Sequence, residues 1–168
     1  SDPNFQHAVK MVQEGRLGAL QSIDVHVGPN PHPTPYMEPE ETLPESLEWN
    51  LWLGPNPAVH YNHVLNPPIS LDPPEDEKIW GAWRWYKETG GGLMTDWGAH
   101  MFDIAQWAMG MDDSGPIEVI PAGYEGTEAM TFVYGTGVKM TQQMFNEQGT
   151  KGVKFFGSDG WIEVARGY

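Results

Sequence analysis

The chain has 168 residues, about one ordinary domain, and it contains no cysteine. Disulfide frameworks, thiolate metal sites and thiol nucleophiles are therefore excluded. Its 23 acidic and 9 basic residues give a formal net charge of -14 without a basic cluster, so we expect neither nucleic acid nor an anionic membrane as a partner. Residues 1–15 lack the pattern of an export signal. We expect any such signal, and with it the compartment, to depend on sequence that precedes them.

The first 30 residues predict a helix followed by a strand. Ser1 or Asp2 is placed to cap the helix, and Pro3 fits its first turn. Apolar residues recur at helical spacing over residues 5–12, and glycines end the helix at positions 15 and 18. Residues 19–27 then alternate between apolar and polar side chains, which is typical of a strand.

Residues 28–80 contain too many prolines for long regular elements. We predict long loops with one helical turn near residues 45–51. Loops of this length inside a domain are usually functional or disordered. The aromatic residues Trp49, Trp52, Tyr61 and Trp80 favour ordered loops, and such side chains also form flat walls for sugar rings.

A helix over residues 94–109 and a series of strands are predicted for the rest of the chain. Glycine-rich turns at 135–137 and 158–160 indicate antiparallel hairpins. The fold class is therefore α+β, with a mostly antiparallel open sheet and helices on one face. The predicted strands cover residues 117–124, 128–134, 138–145, 152–156 and 161–165.

The predicted helix 94–109 carries the pattern that most resembles catalytic chemistry. At about 100° per residue, Asp96, His100, Asp103 and Trp107 fall within about 60° of one another. A carboxylate beside an imidazole fixes its tautomer and favours its protonated form, which suits acid-base catalysis. The opposite side, which we expect to pack in the core, carries Gly98, Met101, Phe102, Ala105, Ala108 and Met109.

Two other interpretations of this stripe remain open. It is also the pattern of an amphipathic helix with a solvated acidic edge. A zinc site would need Asp96 and His100 together with further ligands, for which His60 and His63 are candidates. The glycines at 90–92 fit either a close approach of ligand to backbone or a turn that joins Tyr86 to the helix.

The run GGGLMTDWGAHMFD at residues 90–103, followed by DDSGP at 112–116, resembles the C-terminal domain of the Gfo/Idh/MocA oxidoreductase family. Weaker similarity extends over residues 4–18, 49–55 and 160–164, whereas residues 67–81 look like an insertion. The resemblance implies a dihydrodipicolinate-reductase-like fold and a two-domain enzyme. In such enzymes a Rossmann half binds NAD or NADP, and this half binds a sugar-like substrate.

The family's D-x-x-x-H pattern falls on Asp96 and His100. The resemblance implies that His100 exchanges a proton with the substrate hydroxyl and that Asp96 orients it, with Asp103 in a supporting role. The family's catalytic lysine and its nucleotide-binding glycine loop have no counterpart in the sequence. We therefore expect residues 1–168 to be a single domain of a longer protein, extended at the N-terminal side and also at the C-terminal side.

The sequence thus predicts half of an NAD(P)-dependent enzyme acting on a sugar, glycoside or polyol hydroxyl. Alone, this half should be inactive and should not bind nicotinamide. The alternative is a non-catalytic carbohydrate-binding or oligomerisation module, and in either case we expect a homo-oligomer that forms through the sheet. The site predictions are His100 and Asp96 as catalytic residues, Asp103, Tyr61, Asn62, Arg84 and Trp83 as substrate-binding residues, and Gly91 and Gly92 as minor cofactor contacts.

Overall fold

The structure is a computed structural model that describes residues 2–29, 31–67 and 81–166. Most of the predicted insertion at 67–81, with Trp80, and the alternative cap Ser1 lie outside the described residues. The helices are α1 (Pro3–Gln13), α2 (Trp49–Leu53) and α3 (Trp97–Ala108), with short 3-10 turns at Ala82–Trp85, Gly92–Met94 and Tyr124–Gly126. The strands are β1 (Leu20–His26), β2 (Glu118–Ile120), β3 (Thr131–Val133), β4 (Lys139–Gln142), β5 (Gly152–Gly157) and β6 (Trp161–Ala165).

The chain divides into two compact units. The first unit comprises residues 1–30 together with 97–168, and it contains the sheet with α1 and α3. The second unit, residues 31–96, contains α2 and the loops on either side of it. None of the described helices is long and apolar enough to cross a membrane.

Helix α1 begins as its sequence predicts. The Asp2 carboxylate accepts a hydrogen bond from the Asn4 backbone N–H at 2.9 Å, and Pro3 occupies the first turn. This bond satisfies one of the amides that a helix start leaves without a partner. Phe5, Ala8 and Val9 are buried along one face, which confirms the predicted packing side.

The six strands form one sheet in the order β2-β3-β4-β1-β5-β6. The hairpins β3–β4 and β5–β6 confirm the two predicted glycine turns. The first strand, β1, lies in the middle of the sheet, antiparallel to β5 but parallel to β4. The fold is therefore the mostly antiparallel α+β sheet that the sequence predicts, with one parallel pair.

One face of the sheet forms the core with the helices. Ile23 and Val25 of β1 and Val153 and Phe155 of β5 are fully buried on this face. The helix α3 packs here, because Phe102 contacts Phe132 edge-on with ring centroids 5.3 Å apart. Burial of such aliphatic and aromatic side chains is the main stabilising contribution to a fold of this kind.

The opposite face of the sheet is more polar. The Lys154 ammonium lies 3.1 Å from the Glu163 carboxylate and 3.9 Å from the centre of the Trp161 ring. The Trp161 side chain is 60% exposed. Along β4, Met140 is buried whereas Lys139 is exposed, so the two faces differ. Self-association through this face remains a prediction.

The second unit is ordered by backbone pairing between distant loops. The Thr34 N–H donates to the Trp85 carbonyl, and the Lys87 N–H donates to the Thr34 carbonyl, both at 2.9 Å. Trp49 and Trp52 stack at a centroid distance of 4.6 Å. The predicted helical turn is present as α2, a few residues later than expected. The described loops of this segment are therefore ordered, as its aromatic residues indicate.

Candidate functional site

Helix α3 positions the predicted catalytic histidine. Its buried residues Gly98, Met101, Ile104, Ala105 and Ala108 pack in the core, so His100 and Asp103 are exposed on the other side. This confirms Gly98, Met101, Ala105 and Ala108 as core residues, as the sequence predicts. Phe102 and Met109 are only half-buried, Met109 follows the end of the helix, and the buried Ile104 was not expected. The same amphipathic pattern that stabilises the helix thus directs His100 and Asp103 away from the core.

The start of this helix differs from the prediction. The helix begins at Trp97, three residues after the expected position, so Asp96 lies in the turn before it and does not belong to the helical stripe. The reason is local, since Gly92 adopts a left-handed φ of 66° and its carbonyl accepts from the N–H groups of Thr95 and Asp96. The Met94 N–H in turn donates to the Pro31 carbonyl.

His100, Asp103 and Trp107 remain together on α3 and line one cavity. The cavity has a volume of about 340 Å³, which is near the lower end of the range for small-ligand pockets. Its lining combines charged and polar side chains with apolar ones. The full lining is Asp2, Phe5, His100, Met101, Asp103, Ile104, Trp107 and Arg166.

Two contacts hold the walls of this cavity. The Gln13 amide of α1 donates to the Trp107 carbonyl of α3 at 2.9 Å, which joins the two helices that line it. At the first turn of α3, the Trp97 and His100 rings meet edge-on with centroids 6.3 Å apart. Sequence reasoning missed Asp2 and Arg166 as lining residues, because neither belongs to a motif and Arg166 follows β6, far along the chain.

A partly buried hydrogen-bond network holds the other end of α3. The Tyr134 hydroxyl donates to the Gln106 side-chain carbonyl at 2.6 Å. The Gln106 amide in turn donates to the carbonyls of Met111 and Ser114, each at 2.6 Å. Tyr134 is almost fully buried, and this burial raises the pKa of its hydroxyl. The loop that follows α3 is therefore attached to the helix and to the end of β3.

Asp96 and Arg84, two of the predicted site residues, form an ion pair within the second unit. The Arg84 Nε donates to Asp96 Oδ1 at 3.0 Å, and both side chains are largely shielded from solvent. The guanidinium also lies 4.4 Å from the centre of the Trp83 ring. The sequence pattern gave no sign that the partner of Asp96 is an arginine 12 residues earlier.

Four of the predicted residues line a small cleft around this ion pair. Its volume is about 70 Å³, room for about two water molecules. The cleft is thus large enough for a polar substituent but too small for a sugar ring. Its lining is Trp83, Arg84, Gly90, Gly91, Thr95 and Asp96.

The glycine run is closely packed against its own unit. A Cβ atom on Gly90 would lie 2.6 Å from the Arg84 carbonyl oxygen, and one on Gly92 would lie 2.5 Å from the Pro31 carbonyl oxygen. On Gly91 a Cβ would meet the Thr95 side chain. Close packing is therefore sufficient to explain why glycine occupies all three positions. The cofactor contacts predicted for Gly91 and Gly92 stay predictions.

Tyr61 and Asn62 are both buried, with 7% and 2% of their surfaces exposed. The Tyr61 ring meets Trp49 edge-on at 5.4 Å. The Asn62 amide donates to the Pro39 carbonyl and its oxygen accepts from the Val64 N–H, both at 2.9 Å. These contacts give both side chains a structural role, and their predicted contact with substrate is untested.

The two candidate zinc ligands of the second unit have other partners. His60 Nε2 lies 2.7 Å from the Glu38 carbonyl oxygen, and His63 Nδ1 lies 2.8 Å from the Glu41 carboxylate. Hydrogen bonds from the His63 backbone and side chain lower the pKa of Glu41. Within residues 2–29, 31–67 and 81–166, no group of three His, Asp or Glu side chains is arranged to hold a metal ion.

Comparison with solved structures gives two partial alignments. GenD2 from gentamicin A biosynthesis, in complex with NAD, aligns with 96% of this chain and 36% of its own, at 14% identity and a TM-score of 0.47. A candidate myo-inositol dehydrogenase from Sinorhizobium meliloti 1021 aligns with 98% of this chain and 39% of its own, at 13% identity and a TM-score of 0.43. The chain thus spans less than two fifths of either protein. Comparison with curated proteins gives no match.

A family model decides the relationship. Residues 34–141 match the model for the C-terminal alpha/beta domain of the GFO/IDH/MocA oxidoreductase family. The match covers more than half of the chain and includes both the glycine run and the D-x-x-x-H pattern. The resemblance drawn from residues 90–103 is therefore confirmed, and the chain belongs to the Gfo/Idh/MocA oxidoreductase family as its C-terminal alpha/beta domain.

Proposed function

We propose that this chain is the substrate-binding and proton-transferring half of an NAD(P)-dependent oxidoreductase that acts on a hydroxyl group of a sugar, glycoside or polyol. The observation that carries the proposal is the cavity along α3, which His100, Asp103 and Trp107 line together. It combines an imidazole, a carboxylate that accepts hydrogen bonds from hydroxyl groups, and an aromatic surface suited to a sugar ring.

The main cofactor site does not fit the residues of this chain. A dinucleotide needs a G-x-G-x-x-G loop at the start of a helix, and the sequence contains none. The positions that a Cβ atom would take on Gly90 and Gly92 are filled by backbone atoms of Arg84 and Pro31. We therefore assign cofactor binding to another part of the full-length protein.

In this proposal His100 supplies the proton transfer. Oxidation of an alcohol removes a proton from oxygen and a hydride from carbon, and nicotinamide cofactors serve as hydride acceptors in such reactions. The exposed imidazole of His100 accepts the hydroxyl proton and returns one in the reverse reaction. Asp103, one turn further along α3, accepts a hydrogen bond from a neighbouring hydroxyl and so orients the substrate.

Asp96 contributes through charge and position in the second unit. Its carboxylate is held by Arg84 at 3.0 Å, and such a charge-assisted bond fixes the side chain more firmly than a neutral one. The predicted roles of Asp96 in catalysis and of Arg84 in substrate binding stay part of the proposal, and Trp83 adds a half-exposed aromatic surface beside the ion pair. We extend the proposal to a homo-oligomer that covers the polar face of the sheet.

Turnover by the full-length protein tests the proposal. We expect NAD⁺ or NADP⁺ to be reduced in the presence of at least one member of a panel of aldoses, glycosides, uronates and inositols. Reduction of the cofactor is followed by its absorbance. Binding of panel members without turnover, in a protein that binds the cofactor, would instead favour the non-catalytic carbohydrate-binding module.

The chain of residues 1–168 serves as the control for this assay. Calorimetric titration of this chain with NADH and with NADPH should give no heat of binding, because no segment of it can hold a pyrophosphate. A dissociation constant tighter than about 100 μM, or roughly 5.5 kcal/mol of binding free energy, would show that part of the cofactor site lies in this domain.

A further inference from the structure

Two cations lie against one indole ring at the first turn of α3. The Lys151 ammonium is 4.3 Å and the Arg166 guanidinium carbon 4.8 Å from the centre of the Trp97 ring. The chain has only 9 basic residues against 23 acidic ones, so carboxylate partners are plentiful. Yet within the part of the chain that the structure describes, neither Lys151 nor Arg166 forms an ion pair with a carboxylate.

One of these two cations also lines the α3 cavity. Arg166 lines the cavity together with His100, and the His100 ring contacts the same indole from a position one turn along the helix. Asp103 is six residues beyond Trp97, which is about 9 Å along the helix axis. Asp2 also lines the cavity, but its carboxylate caps α1 through the Asn4 N–H. The charges are thus separated, with cations near His100 and a carboxylate further along α3.

We propose that Lys151 and Arg166 bind an oxyanion, either a carboxylate or a phosphate, carried by the substrate. The indole ring holds both cations by cation–π contact, so they are ordered before the ligand arrives. A guanidinium presents paired N–H donors that match an oxyanion, and an ammonium adds a second charge. The substrate would then be an acidic sugar or polyol whose hydroxyl groups extend along α3 toward Asp103.

This inference rests on the proposed function for its description of the ligand as a substrate, but its test measures binding alone. The affinity of the full-length protein for glucuronate, glucose phosphate and glucose is measured by calorimetry at low ionic strength. We expect at least one of the two acids to bind about tenfold or more tightly than glucose, as charge-assisted bonds predict. The acid that binds more tightly shows whether the bound group is a carboxylate or a phosphate.

Three variants test the residues. Arg166→Gln and Lys151→Gln should each remove most of the preference for the acid, whereas Lys139→Gln, which removes an exposed lysine of β4, should leave it unchanged. Arg166→Lys keeps the charge, so it should retain part of the preference if the glutamine variant fails to fold. Equal affinity for acid and neutral sugar, no binding of either acid, or a preference that survives both glutamine variants would overturn the inference.

The outcome separates this inference from the proposed function. Acid binding that depends on Arg166, in a protein that oxidises no member of the panel, would establish the oxyanion site and contradict the proposed function. Conversely, oxidation of a neutral polyol by a protein that shows no Arg166-dependent preference for an acid would support the proposed function and contradict the oxyanion site.

Discussion

Replacement of His100 by alanine in the full-length enzyme should lower kcat by about 10²–10⁴-fold while KM changes little. Positioned acid-base catalysis acts mainly in the transition state, so its loss appears in kcat more than in substrate binding. His100 is the titratable imidazole in the α3 cavity and is exposed to it. Steady-state kinetics with the best substrate of the panel measures both constants.

His7→Ala is the matched control for this variant, because it removes an exposed histidine of α1 that does not line the cavity. We expect its kinetics to match the unmodified enzyme. Asp96→Asn should give a smaller fall in kcat than His100→Ala, because it removes the charge that Arg84 holds but leaves an amide of the same shape. A loss confined to KM would make His100 a substrate-binding residue, and unchanged kinetics would favour the solvated amphipathic helix.

Phe155→Ala should destabilise the domain by about 3–5 kcal/mol, which is the usual cost of emptying a buried aromatic site. The Phe155 side chain has no exposed surface, and its strand β5 lies beside the central strand β1. The variant leaves a cavity in the core on which α3 packs. Urea unfolding followed by tryptophan fluorescence measures the change in the free energy of unfolding.

Phe156→Ala is the control, since successive residues of a strand point to opposite faces. Phe156 is half-buried on the polar face, and the Lys154 ammonium lies 5.6 Å from the centre of its ring. We expect a clearly smaller loss of stability from this variant. Equal losses, or a larger loss from Phe156→Ala, would mean that the register of β5 is shifted by one residue and that the core lies on the other face.

Sequence reasoning predicted those parts of the fold that depend on local pattern. The cap at Asp2, the alternation in β1 and the glycine turns of both hairpins involve neighbours a few residues apart. The central position of β1 between β4 and β5 does not, because pairing of Ile23 with Met140 joins segments that are far apart in the chain. No local signal specifies such a pairing or its parallel direction.

The candidate site was predicted in part for the same reason. The helical spacing of His100, Asp103 and Trp107 is a local property, and the structure places all three on one cavity. The ion pair of Asp96 with Arg84 depends instead on how the glycine run folds back, since Gly92 begins a turn that delays the start of α3. The contribution of Arg166 depends on where β6 ends, which the motif around His100 does not reveal.

A crystal structure of the full-length protein with oxidised cofactor and an acidic or neutral substrate of the panel tests the central claim most directly. The predicted result is a substrate in the α3 cavity, with the reacting hydroxyl within about 2.6–3.2 Å of the His100 imidazole and its carbon facing the nicotinamide. A substrate held against the nicotinamide but outside the cavity that His100, Asp103 and Trp107 line would contradict it.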